Sequence, residues 1–350
     1  MSASDLVRAA ATRREHLTRW LGERPALITA GGPRPRNYPQ NPYPYRASSH
    51  FLYLVGLALP GAALWLAGTD RRLLLPERDG LDALWHAQPE SDQELAERTG
   101  LRVERLAQLE PLARGRRVAV PPLLAREDAS TLGRALGRDP ETLGHDELVD
   151  GPLLEALIAL RLGHDEAAQH ELRRAADASV EAHLCGMRAT RAGELEHRVV
   201  AAMEAVFTRE GFGTAYSSIV TTRGEVLHNH EHGGVMRDGD LLLADVGAET
   251  DTGYAADITR TWPVSGRFSP TQREIYLLVL EAQRAALAEV RPGTRYRDVH
   301  LAAARALCQG LRDIGILRGD PDQLLERGAH ALFMPHGIGH LLGLDVHDME

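Results

Sequence analysis

Between Asp240 and Trp262 the chain reads DLLLADVGAETDTGYAADITRTW, and this stretch restricts the fold more than any other. Four apolar residues, Leu241 to Ala244, run directly into Asp245, so a carboxylate ends what reads as a buried strand, where an unpaired charge is costly. Asp257 follows twelve positions later on the returning strand. Pairing about the midpoint, Asp251, sets 249 against 253, 247 against 255 and Asp245 against Asp257. The two aspartates are then expected as direct cross-strand neighbours on one face, with Cβ atoms roughly 5 Å apart. Two like charges that close repel unless they are protonated or bridged by cations. A pair of divalent metal ions resolves the conflict, whereas a turn or capping role for one Asp would make the pairing accidental.

Histidine placement favours the first reading. Of sixteen histidines, seven lie in two short segments: His228, His230 and His232, then His330, His336, His340 and His347. Gly337, Gly339 and Gly343 let the backbone of the second segment pass close to a ligand or a neighbouring strand. Imidazoles supply neutral nitrogen ligands and proton shuttles near neutrality. In the run His228-Asn-His-Glu-His232 at most one histidine is expected to matter, the others being solvated loop residues.

Composition removes several classes of chemistry. All 40 basic residues are arginine, which excludes Schiff-base lysines, Ser-Lys dyads and the P-loop lysine. A net charge of -9 argues against nucleic acid as a partner. Two cysteines, Cys185 and Cys308, cannot build a disulfide framework or a four-cysteine zinc site, which points to a reducing cytoplasmic setting. The N-terminus lacks the continuous apolar region of a signal peptide, and no stretch approaches the ~18 apolar residues of a membrane span.

The first half alternates helix and strand signals. A helix capped by Ser4 should reach about Leu21. Strands are expected at 26–30, 51–57, 62–67, 73–76 and 118–120, with helices near 91–99 and from Asp128. A polar, Gly- and Pro-bearing stretch at 137–151 approaches a boundary, so domains are expected at 1–155 and 156–350. Helices then cover 153–160, 165–187 and 194–210, strands 216–221, 241–246 and 254–264. Ser269-Pro270-Thr271-Gln272 forms a capping box opening a helix to Val290, and another helix spans about 296–311.

The segments GDLLLADVGAE, GYAADITRTWPVSGRFSPTQREIY and MPHGIGHLLGLDVHD resemble the pita-bread metallopeptidases, in the branch of Xaa-Pro aminopeptidase (aminopeptidase P) and Xaa-Pro dipeptidase (prolidase). YPYRASSHFLYLVGL is similar to the opening of that branch's creatinase-like N-terminal domain. The resemblance implies an α/β (α+β) chain, a creatinase-like domain followed by a pita-bread catalytic domain. It implies Asp245, Asp257 and His340 as ligands of two divalent ions, Asp257 bridging both. Manganese is the ion it favours, with cobalt or zinc as substitutes. His228 and His347 would flank the scissile bond as catalytic residues, and His336 would lie near the substrate's proline. A hydroxide held between the ions would attack the carbonyl before proline, so the partners are peptides with proline second. A homodimer or homotetramer is the implied assembly.

Three departures stand out. The hairpin is one residue longer than the usual pattern, which a loop Thr250-Asp251-Thr252 with Gly253 left-handed would absorb. Arg161 is followed by Leu-Gly-His-Asp where the family has Arg-x-x-Lys-Ser. The resemblance also calls for two more metal-binding glutamates after the histidine segment, one the general base. Glu350 is too close to His347 to be either, so the pita-bread domain is expected to be incomplete at its C-terminus in this sequence. Competing readings are a prolidase, a non-catalytic pita-bread binding module or inactive fragment, and a metal-free creatinase-like hydrolase.

Overall fold

A computed structural model describes residues 3–77, 90–123 and 126–349. Helix α1 (Ala3–Leu21) leads into a four-stranded sheet of β1 (Ala26–Thr29), β2 (Ala63–Ala67), β3 (Asp70–Leu75) and β4 (Arg102–Arg105) in spatial order 1-2-3-4. The first three strands pair antiparallel, and β3–β4 is parallel. Side chains alternate faces along a strand, so Ile28, Leu64, Leu66 and Leu73 pack under α1 on one side. Leu27, Trp65 and Leu74 pack against α5 (Arg126–Leu136) on the other. Burial on both faces is why these strands read as unbroken apolar runs.

The run at 51–57, expected as a strand, is helix α2 (Ser49–Val55). Ser48 caps it by accepting from the Phe51 amide, and Gly56 ends it at φ +76°. A helix buried nearly all round has the same apolar pattern as a buried strand, and only its caps distinguish them. The strand expected at 118–120 is reduced to one parallel bridge, Ala26 to Ala119. Edge strand β4, RVER, carries too little apolar signal to have been expected. Helices α3 (Asp92–Thr99), α4 (Leu109–Ala113) and α6 (Gly151–Arg161) complete this half. The expected boundary at 155/156 falls within α6, whose Leu153, Ala156 and Leu157 belong to the N-terminal core.

The second half pairs the long helices α7 (Glu166–Ala189) and α8 (Glu196–Glu210) against a sheet in the order β6 (Ile219–Thr221), β7 (Leu241–Asp245), β9 (Thr259–Pro263). A short ribbon joins β5 (Gly213–Thr214) to β8 (Ala248–Glu249). Helix α9 (Pro270–Glu289), opened by the expected capping box at Ser269, lies against α10 (Tyr296–Asp313), and α11 (Pro321–Glu326) follows. Residues 334–349 contain neither helix nor strand. Among the described residues no helix is long and apolar enough to cross a membrane.

Candidate metal centre

Strand β7 buries Leu242 and Ala244 against α7 and α8, which turns Leu241, Leu243 and Asp245 to the opposite face. Two buried side chains of α7 fix it there. His183 bonds the Ser179 carbonyl through Nδ1 at 2.8 Å and reaches the Ala244 carbonyl through Nε2 at 3.4 Å. The Ser179 hydroxyl accepts from the Ala248 amide at 2.9 Å. Neither residue stood out in the sequence, because a helical Ser and His four apart carry no motif.

The register differs from expectation. Asp245 pairs with Thr259, not Asp257, and the Val246 amide donates to the Ile258 carbonyl. Pairing is centred on Thr252 rather than Asp251, so Gly247 stands across from Asp257 and the aspartates are diagonal neighbours. A shift of two positions along the partner strand keeps them on one face. The cause is the turn: Thr250 and Tyr254 bond each other across Asp251-Thr252-Gly253, with Gly253 at φ +91° as expected. Gly247 is obligatory for a different reason. A Cβ there would lie 1.7 Å from the Ala256 carbonyl oxygen. Helix α7 also tethers the turn, through Thr252 donating to Glu171 at 2.6 Å and an Arg174–Asp251 ion pair at 3.1 Å.

Between the carboxylates sits Tyr216, its hydroxyl 2.5 Å from Asp245 Oδ1 and 2.9 Å from Asp257 Oδ1. A phenol has one proton and can satisfy only one of them at a time. Burial and the two carboxylates push its pKa well above the ordinary value, so it stays a donor. Burial raises the Asp245 carboxyl, with the nearby Asp257 charge adding to it and the Tyr216 hydrogen bond opposing it.

His340 arrives from the irregular C-terminal segment. Its Nε2 lies 3.0 Å from Asp257 Oδ2, and its Nδ1 3.0 Å from the Leu341 carbonyl. That carbonyl can only accept, so Nδ1 carries the proton and Nε2 faces a carboxylate oxygen. Two acceptors at this distance call for a cation between them, either a proton on Nε2 or a metal ion held by both. Two neighbouring ligands of an ion at about 2.1 Å stand about 3.0 Å apart, which matches. An oxygen-rich donor set with one imidazole suits a hard or borderline divalent ion. Among the described residues, no group of three or more His, Cys, Asp or Glu is arranged as a ready cage.

The other histidines divide. His347 stacks on His340, with ring centroids 3.8 Å apart and planes 12° from parallel. His336 is exposed and turns Nδ1 to the Gly337 carbonyl at 2.7 Å. His228 is exposed on the 222–240 loop with its ring near His230. Among the described residues no hydrogen bond or ring contact joins His228 or His336 to the carboxylates. His232 is not the solvated loop residue expected of it. It is half-buried and bonds the Ser218 carbonyl at 2.9 Å, which pins the loop to the approach of β6.

Comparison with known proteins adds a second line. Residues 170–350 match the model of metallopeptidase family M24, and residues 10–115 match the aminopeptidase P N-terminal domain. This chain belongs to metallopeptidase family M24. The M24 chain is 34% identical over 319 residues to a Xaa-Pro aminopeptidase of Haemophilus influenzae, covering 88% of its own length and 72% of the relative. It is 32% identical over 360 residues to that of Escherichia coli, covering 96% and 80%. Among solved structures, the Pseudomonas aeruginosa aminopeptidase PepP superposes with a TM-score of 0.87 at 30% identity, across 99% of this chain and 81% of the other. Zinc-substituted E. coli aminopeptidase P in complex with product gives 0.86 at 32%, across 98% and 81%. The architecture is therefore an aminopeptidase P-type N-terminal domain followed by a pita-bread domain, in an enzyme of this kind. Family membership also implies divalent metal ions.

Proposed function

We propose that this M24 protein is a metal-dependent Xaa-Pro aminopeptidase, releasing the first residue from peptides whose second is proline. One observation carries the reading: Asp245 and Asp257 converge on a single hydroxyl while His340 Nε2 meets Asp257 from a remote segment. Asp257 would be shared by two divalent ions, with Asp245 and His340 completing the donors available here. Manganese is the first choice, with cobalt or zinc as substitutes. Bound there, the ions would supply Lewis acidity toward the scissile carbonyl and lower the pKa of a water.

The chain's own residues would do the rest. The Leu341 carbonyl keeps the His340 proton on Nδ1 and leaves Nε2 to face the ions. His347, stacked on the exposed side of His340, would donate to the substrate carbonyl oxygen as charge develops on it, with His228 reaching the same bond from its loop. His336 would border the proline ring. Aminopeptidase activity is preferred to prolidase activity because the N-terminal match and the named relatives are of the aminopeptidase kind. Two free cysteines, one buried, suit a cytosolic setting, and a homodimer or homotetramer is the proposed assembly.

The test uses the full gene product, stripped of metal and resupplied with Mn²⁺, on an Xaa-Pro-Xaa peptide and an Xaa-Pro dipeptide. Cleavage of the longer peptide with return of activity on metal addition is the expected result. Cleavage of the dipeptide alone would make it a prolidase, and cleavage unaffected by chelation would overturn the metal-dependent reading.

A further inference from the structure

Residues 341–349 carry His347 and adjoin His340, yet have no regular secondary structure to fix them. Part of their support is an internal bond, from the Asp348 amide to the Leu341 carbonyl at 3.1 Å. Part comes from the aspartate hairpin, where the Ala255 amide donates to the Gly343 carbonyl at 2.9 Å, and from His164 Nε2, 2.9 Å from the Leu342 carbonyl. The remainder comes largely from the N-terminal half. Leu344 is buried in the N-terminal core. Asp345 accepts from Ser49 Oγ at 2.5 Å and from Arg161 Nη2 at 2.9 Å, and Arg161 also binds Asp348. The Arg161 side chain is 1% exposed and its other terminal nitrogen lies 3.1 Å from His50 Nδ1. His347 thus sits between two residues held by one guanidinium.

Arg46 links the two halves of the centre. On the aspartate hairpin it pairs with Glu249 and donates to the Gly253 carbonyl at 3.3 Å. On the histidine segment it donates to the Leu344 carbonyl and lies 3.7 Å from Asp345. A single planar side chain therefore grips both segments whose separation determines how His340 meets Asp257.

We propose that Arg46 and Arg161 are positioning residues, through which the N-terminal domain sets the His340–His347 segment against the Asp245–Asp257 hairpin. The consequence for catalysis rests on the metallopeptidase reading above, and the structural inference does not. Lysine keeps the charge but not the fork, so it cannot serve partners in several directions at once. Arg46→Lys and Arg161→Lys are thus the informative variants, with Ser49→Ala as a milder one should either fold poorly. Arg72→Lys is the control. Arg72 forks onto Asp70 at 2.7 Å and Glu104 at 2.8 Å within the N-terminal sheet, away from both segments.

In the metal-free full gene product, NMR of the imidazole rings should show the stacked His340–His347 pair displaced in Arg46→Lys and Arg161→Lys but not in Arg72→Lys. With Co²⁺ as the probe metal, affinity should fall at least tenfold in the first two. At saturating metal, kcat should fall by a similar factor with KM within about threefold. Lower thermal stability with unchanged ring signals, metal affinity and kcat would overturn the proposal. If the wild type neither binds Co²⁺ nor cleaves peptide, the metallopeptidase reading fails, and the ring signals alone still decide the positioning.

Discussion

Gly247→Ala is the sharpest test of the hairpin geometry. The added methyl would lie 1.7 Å from the Ala256 carbonyl oxygen, 2.6 Å from its carbonyl carbon and 3.0 Å from the Tyr216 ring, whereas ordinary contacts lie at 3.4–4 Å. Relief needs about 1.7 Å of separation, and the obstacle is backbone that the Ala256 amide ties to the Ala248 carbonyl at 2.8 Å. Overpacking of this kind costs about 1–3 kcal/mol, and a backbone obstacle puts this site at the upper end, about 3 kcal/mol. For a domain of 150–250 residues that is a Tm fall of roughly 6–12 °C. The same displacement moves Asp257 relative to Asp245, so Mn²⁺ should raise the variant's Tm less than it raises the wild type's. Gly213→Ala serves as control, since a Cβ there meets nothing within 4 Å and should change stability by under about 0.5 kcal/mol. Urea melts and thermal scans of the three proteins, with and without Mn²⁺, measure both effects. A Gly247→Ala loss below about 0.5 kcal/mol, or a loss equal to that of Gly213→Ala, would refute the register.

Tyr216→Phe removes the one hydroxyl shared by both carboxylates, so the metal-free protein should lose stability and gain a larger Tm increase on Mn²⁺ addition than the wild type; an equal increase would count against the tyrosine's role. Burial works to raise the Asp165 carboxyl, but Arg13 and the Ala168 amide outweigh it and hold the pKa below the ordinary value. Its contribution is therefore complete above the unfolded carboxylate range, about pH 4, and is lost as pH falls through the lower folded value. Asp165→Asn should flatten that acid limb in urea melts taken from pH 6 downward. Burial also pushes the Cys308 thiol up, and its side chain is fully enclosed. Half-buried Cys185 should therefore react with a thiol reagent well before Cys308 in the native protein.

The acidic hairpin and the histidine segment were legible because charge and glycine at fixed spacing have few other uses. Strand order and register were less so: apolar alternation sets the face Asp245 occupies, but the register depended on whether the turn closes at Thr252 or Asp251. The run at 51–57 shows the same limit, since Phe51, Leu54 and Val55 are buried whichever way the backbone coils. Arg161 went unrecognised as a hub because its partners, Asp345 and Asp348, lie almost two hundred residues downstream. No local pattern reports a pair of that separation.

Leu344 has a consequence for synthesis. The N-terminal core that contains Phe51, Leu54 and Leu157 also takes in a leucine almost two hundred residues downstream, beside Tyr254. On the ribosome, residues 158–344 must follow before that place is filled, which takes roughly 10–40 s at 5–20 residues per second. Throughout that interval the nascent N-terminal half carries an open apolar socket. A chaperone that shields such surfaces has a defined time window and a defined place to act.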